Sequence, residues 1–170
     1  DTPSIASFII TALKPGHTVG IDGLIYSADE SERLEKTLAR HDIKLATDFT
    51  AAADNRTYRP ELPDSPVFIY EEKYAGEGAK HKIGKILNAA AGQGAEAAFV
   101  TALDEIAWAL NLRGSDVAYN PVFASFLYLS ARGSTLFVDD IKLDGQVKEY
   151  LDALDITQAP YSEAASFLSA

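Results

Sequence analysis

The sequence predicts an α/β domain whose mixed β-sheet is flanked by helices, and three observations carry that prediction. Short β-prone runs alternate with amphipathic helical stretches along most of the chain, the pattern of a layered α/β domain. Ser27-Ala-Asp-Glu30 spells a capping box at the start of one such stretch. Two apolar runs joined by Ala131-Arg-Gly-Ser134 read as a hairpin, which adds an antiparallel pair to a sheet otherwise built by crossovers.

The elements follow in order. Thr2 before Pro3 suits a helix start, because proline at the first turn lacks only an N–H that would go unpaired there; this helix is expected to run to Leu13 and stop at Lys14-Pro15-Gly16. Thr18 to Asp22 reads as a short buried strand with a turn at Gly23, and the capping box opens a helix reaching His41. Ile43 to Thr47 alternates like a half-buried strand. From Asp48 to Pro66 periodicity is lost, and Pro60, Pro63 and Pro66 predict an irregular connection before a strand at Val67 to Tyr70. Ile83, Ile86, Leu87 and Ala90 set the apolar face of a helix over Ala79 to Ala91, ended by Gly92 and Gly94. Ala97 to Val100 is a strand. Leu103, Ile106, Ala107 and Leu110 share a helical face opposite Asp104 and Glu105, and a polar loop follows. Ala124 to Ser130 and Thr135 to Val138 are the hairpin strands, and a helix over Gly145 to Leu154 is the last predicted element.

With 170 residues, 47% of them apolar and 24% charged, the chain is expected to form a single domain over residues 1–170 with a real core. A net charge of −10 without a block of Lys or Arg argues against a nucleic-acid or anionic-membrane partner. No run is apolar for long enough to span a bilayer. Cysteine is absent, which excludes disulfides and thiolate chemistry and leaves a cytoplasmic location as the default. Methionine is absent even from position 1, as expected of an excised or processed chain.

Chemistry is sparse. His17, His41 and His81 are far apart and read as surface or capping groups rather than metal ligands. Asp139-Asp140, with Asp104, Glu105 and Asp116, offers a weak case for magnesium. Acids at a strand end more often solvate a turn. Gly76-Glu-Gly78 lacks the rest of a phosphate-binding motif. Ser115, Ser125 and Ser130 lie in no nucleophile-elbow pattern. The loop from Arg113-Gly-Ser-Asp116 to Tyr119-Asn-Pro121 has two readings. In the structural one, Arg113 pairs with Asp116 or another acid, Asn120 closes a turn and Trp108 fills the core. In the functional one, this polar edge faces the substrate cleft of a neighbouring domain.

The words LDEIAW, NLRGSD and YNPVF between Leu103 and Phe123 resemble the middle domain of the three-domain Xaa-Pro aminopeptidases, in the creatinase/prolidase metallopeptidase family. Leu13-Lys-Pro-Gly16, Val19-Gly-Ile-Asp22, Arg59-Pro60, Pro66-Val-Phe68, Tyr74-Ala-Gly76, Lys82-Ile83, Leu136-Phe-Val-Asp139 and Lys142-Leu143 extend the likeness over nearly the whole chain. The resemblance implies the creatinase/prolidase N-terminal, ribonuclease-H-like fold. It also implies that removal of an N-terminal residue preceding proline is carried out by two divalent metals, usually manganese, in a separate pita-bread domain C-terminal to this region. No catalytic or metal-binding residue is therefore expected here. The implied partners are that catalytic domain, a peptide with proline second, and a second subunit in a homodimer. Arg113, Asp116, Tyr119 and Asn120 are the candidate cleft or domain-interface residues. Where the family commonly carries Trp, in the stretch Asp54 to Pro60, this chain has Tyr58. The alternatives are a stand-alone binding module that kept the fold, and, more remotely, a magnesium nuclease.

Overall fold

A computed structural model describes residues 2–23, 25–49 and 61–169. The chain, expected as one domain, divides into two compact units, residues 1–60 and 61–170. Tyr58, Arg59 and Pro60 lie outside the described residues.

The first unit is a helix followed by a βαβ element. Helix α1 (Ile5–Ala12) starts two residues later than the Thr2-Pro3 reading, because the Ser4 hydroxyl accepts the Ser7 N–H and caps the first turn. Strand β1 (Thr18–Gly20) pairs in parallel with β2 (Lys44–Ala46), and α2 (Ala28–Ala39) makes the crossover. The capping box forms as spelled: the Glu30 N–H donates to Ser27 Oγ and the Ser27 N–H to Glu30 Oε2, each at 3.2 Å. Strand β1 is not the buried strand expected. Its three residues are exposed or half-buried, and Ile21, Leu38 and Ile43 supply the buried side chains. Gly20 is required by packing, since a Cβ there would lie 2.6 Å from the Phe49 ring.

The second unit is built on a four-stranded sheet. Strands β4 (Ala97–Val100), β6 (Phe126–Ser130) and β7 (Ser134–Phe137) are successively antiparallel, and β8 (Ile156–Ala159) joins β7 in parallel. The sheet is mixed because β7 and β8 are parallel while its other two pairs are antiparallel, and β8 was not foreseen in the sequence. Two of its four residues are polar, and it follows the helix that was expected to end the fold. A separate pair joins β3 (Phe68–Ile69) antiparallel to β5 (Leu112–Arg113).

The sheet has two different faces. Leu127, Leu129, Leu136 and Ile156 point into a core shared with α4 (Ala79–Gly92), α5 (Leu103–Leu110) and α6 (Gly145–Ala153). The opposite face carries Phe99, Phe126, Tyr128 and Phe137. It is covered by Tyr161, stacked on Phe126 at 5.0 Å, and by Phe167 of α7 (Ala164–Leu168), edge-on to Tyr128 and Phe137 at 5.0 and 5.1 Å. Helix α7 and the four-residue α3 (Glu72–Ala75) were not predicted; both are shorter than a reliable periodic signal.

The capping box gives a direct test of the first unit. Ser27→Ala should cost about 1 kcal/mol in chemical denaturation, with faster hydrogen exchange at the Glu30 amide.

Candidate functional site

Helix α5 and the loop after it place every candidate residue. The helix ends at Asn111, whose left-handed backbone (φ 51°) turns the chain out of the helix and into β5. A polar loop was expected here. The reversal at Asn111 instead brings Leu112 and Arg113 beside Ile69 and Phe68 as a strand.

The carbonyls at this helix end are taken up from several directions. Arg113 Nη1 donates to the Ala107 carbonyl at 2.6 Å and to that of Leu112 at 2.8 Å. Lys82 Nζ donates to the Trp108 carbonyl at 3.1 Å and to Asn111 Oδ1 at 2.7 Å. The Tyr150 hydroxyl reaches the Leu110 carbonyl at 2.9 Å, and the Tyr70 N–H reaches that of Asn111 at 2.7 Å. Asn111 Nδ2 donates to the Glu77 carbonyl at 2.8 Å. Two cations at the negative end of a helix complement its dipole. Lys82 is only 1% exposed, and this burial pulls its ammonium below the ordinary lysine range, with Glu77 acting in the opposite sense. Burial, followed by Glu72, pushes the Tyr150 phenol above its ordinary range.

Two readings of this region are corrected. Trp108 does not fill the core: it is 44% exposed, with Lys82 Nζ 4.9 Å from its ring centroid, a cation–π contact on a surface ring. Nor does Arg113 pair with Asp116; its guanidinium lies over Tyr70, 4.6 Å from the ring centroid, and binds carbonyls. Asp116 pairs with Lys142. The two side chains are 3% and 1% exposed, and Asp116 Oδ2 also accepts the Ala124 N–H at 2.6 Å.

The loop closes on itself past that ion pair. Gly114 N–H donates to the Pro121 carbonyl, and Asp116 N–H to that of Val122. Gly114 has no room for a side chain, since a Cβ would lie 2.7 Å from Phe123 Cβ. At the tip, Asn120 N–H donates to the Val117 carbonyl, and Tyr119 holds φ 63° with its side chain fully in solvent, at 108% relative exposure. The four candidates therefore separate. Arg113 and Asp116 are structural anchors, while Tyr119 and Asn120 form an exposed tip.

The buried polar groups Lys82, Asn111 and Lys142 escaped the sequence reading. Lys82 had a signal, lying three residues after Ala79 and four before Ile86 on the apolar face of α4. Among the other acids and imidazoles, Asp139 accepts the Ile141 N–H, Asp140 pairs with Lys148 at 2.7 Å, and His81 pairs with Glu77 at 2.6 Å. Among the described residues no group of three or more His, Cys, Asp or Glu could hold a metal ion. None of the described helices is long and apolar enough to cross a membrane.

Residues 58–170 match the family described as the Creatinase/Prolidase N-terminal domain. The chain is 36% identical over 96% of its length to a probable Xaa-Pro aminopeptidase P of Sordaria macrospora, of which it covers 27%. It is 35% identical over 94% of its length to aminopeptidase P2 of Arabidopsis thaliana, covering 23% of that protein. A solved structure of X-prolyl aminopeptidase from Caenorhabditis elegans, described as a cytosolic enzyme with a di-nuclear active site, superposes with a TM-score of 0.89 at 26% identity. It matches 99% of this chain, using 28% of its own length. The chain spans about a quarter of the length of these curated relatives.

The Asp116–Lys142 pair predicts a large and specific loss. Lys142→Met should destabilise the chain by about 3–5 kcal/mol in urea titration, because a buried carboxylate is left without its cation; adding Asp116→Asn should recover part of it. A loss under about 1 kcal/mol would mean that water reaches the pair.

Proposed function

Because the chain belongs to the creatinase/prolidase N-terminal domain family, we propose that it is a noncatalytic domain of a Xaa-Pro aminopeptidase, packed over a catalytic cleft formed elsewhere in a longer polypeptide. The observation that carries this reading is the pairing of a near-complete match on this side with a quarter-length match on the other, in sequence and in structure alike. The described residues do not fit a two-metal centre. The two divalent metals, manganese by the resemblance, are therefore assigned to a C-terminal catalytic domain, which is also where peptide cleavage is placed. A homodimer and a cytosolic location complete the proposal.

Within this reading Tyr119 and Asn120 are the residues that touch the catalytic domain or the peptide at its mouth. Their exposure supports the role, and so does their mounting on a loop held by a buried ion pair, since a preorganised aromatic loses little entropy on contact. Arg113 and Asp116 act through the loop, as positioning residues.

Two assays test the proposal. With manganese and an Xaa-Pro-Yaa peptide, the 170-residue chain should show no turnover and the longest natural polypeptide carrying it should cleave; turnover by the short chain alone would sink the assignment. In the longer polypeptide, Tyr119→Ala should lower kcat/KM roughly fivefold or more, the equivalent of about 1 kcal/mol at an interface aromatic, without changing the melting temperature. Unchanged kinetics would remove the tip from the cleft.

A further inference from the structure

We propose that the crevice at the carboxyl ends of β7 and β8 is a binding site for a primary ammonium group on an apolar body, the chemistry shared by the amino terminus of a peptide and a small hydrophobic amine. Strands β7 and β8 are parallel neighbours that end level, at Phe137 and Ala159. The Val138 N–H still reaches the Ala159 carbonyl at 3.0 Å, and beyond that bond the two chains part. The exit from β7 leads to α6, which packs on the Leu127 and Leu136 face, whereas the exit from β8 leads to α7 on the opposite, aromatic face. Connections that leave adjacent parallel strands toward opposite faces open a crevice between them, and α/β sheets bind their ligands there. A cavity of about 540 Å³ lies at this place, within the usual range for small-ligand sites.

The lining selects the ligand. Leu62, Val138, Leu143 and Pro160 supply apolar surface, and the polar members offer acceptors. Asp139 accepts the Ile141 N–H through Oδ1, which leaves Oδ2 without a partner among the described residues. Gln158 Nε2 donates to Asp152 Oδ1 and to the Ile156 carbonyl, which leaves its Oε1. Asp140 is already paired with Lys148 at 2.7 Å. Among the described residues no lysine or arginine lines the cavity, so an anion would meet the Asp139 carboxylate without compensation. An ammonium suits this rim, because it has three donors and no acceptor, and beside a carboxylate its hydrogen bond is charge-assisted. Its apolar body then covers the leucine and valine side chains. This inference does not rest on the peptidase reading.

Methyl NMR of the longest natural polypeptide carrying this chain tests it, with leucinamide as the small amine, Leu-Gly-Gly amide as the peptide and N-acetyl-leucinamide as the uncharged control. Leucinamide should shift the methyl signals of Leu62, Val138 and Leu143 saturably and leave those of Leu127 and Leu129 in place. The acetylated control should bind at least about tenfold more weakly, the worth of one hydrogen bond to a charged group. Asp139→Asn keeps an acceptor for the Ile141 N–H and loses the charge. It should weaken leucinamide about fivefold or more, while unmoved Leu127 and Leu129 signals report an intact sheet. Tighter binding of the peptide amide than of leucinamide assigns the site to an amino terminus, and equal or weaker binding assigns it to small amines. Equal binding of the acetylated control, an Asp139→Asn affinity like that of the natural chain, or no saturable shift at the three methyl sites would overturn the proposal.

Discussion

The second unit depends on how the C-terminal end of α5 is satisfied. A helix end leaves several carbonyls without intrahelical partners, and burying them unpaired is costly. Here Asn111 reverses the chain while Lys82 of α4, Arg113 of β5, Tyr150 of α6 and the backbone of Tyr70 after β3 each take a carbonyl. One helix end thereby fixes the approach of four other elements. The cost is visible at Lys82, whose ammonium is buried against neutral oxygens and a tryptophan ring with no carboxylate of the described residues in hydrogen-bond contact. Its lowered proton affinity is the electrostatic trace of that placement.

The loop beyond β5 uses a second buried cation differently. Lys142 neutralises Asp116, and Asp116 in turn holds the Ala124 N–H, so the two arms of the loop are tied at one point. Gly114 lets the arms approach closely enough for this. Rigidity at the base is what gives an exposed tip a defined position, and the left-handed backbone of Tyr119 belongs to the tight turn that the Asn120 N–H closes on the Val117 carbonyl.

Much of this fold was legible in the sequence, and the failures share a cause. The capping box at Ser27, the α4 and α5 faces and the β6–β7 hairpin are local or periodic, and each formed where the pattern placed it, within a few residues. Strands β5 and β8 were missed because each is half polar, Leu-Arg and Ile-Thr-Gln-Ala, without the apolar run that marked the equally short β3 and β4, and tertiary pairing made them strands. The fates of Trp108, Arg113 and Asp116 were misjudged for another reason. Which acid a cation meets, and whether an indole faces in or out, depends on side chains 26 residues away, Lys142 for Asp116 and Lys82 for Trp108. The loop could be singled out by its composition. Its division into anchors and tip could not.

The same buried cations change what the chain offers to a partner. Lys82 and Lys142 are withdrawn from the surface and Arg113 is half-buried, whereas the Asp116 side chain is buried against Lys142. The accessible surface is therefore more acidic than a net charge of −10 already implies. An acidic surface does not gather anionic ligands by long-range attraction. Under the proposed function recognition comes instead from short-range features, a tyrosine and an amide on a fixed turn. Both require a partner held close by a covalent connection or a shaped surface, because neither supplies the electrostatic steering that speeds encounters between free molecules. Under the proposed function that partner is the catalytic domain of the same polypeptide.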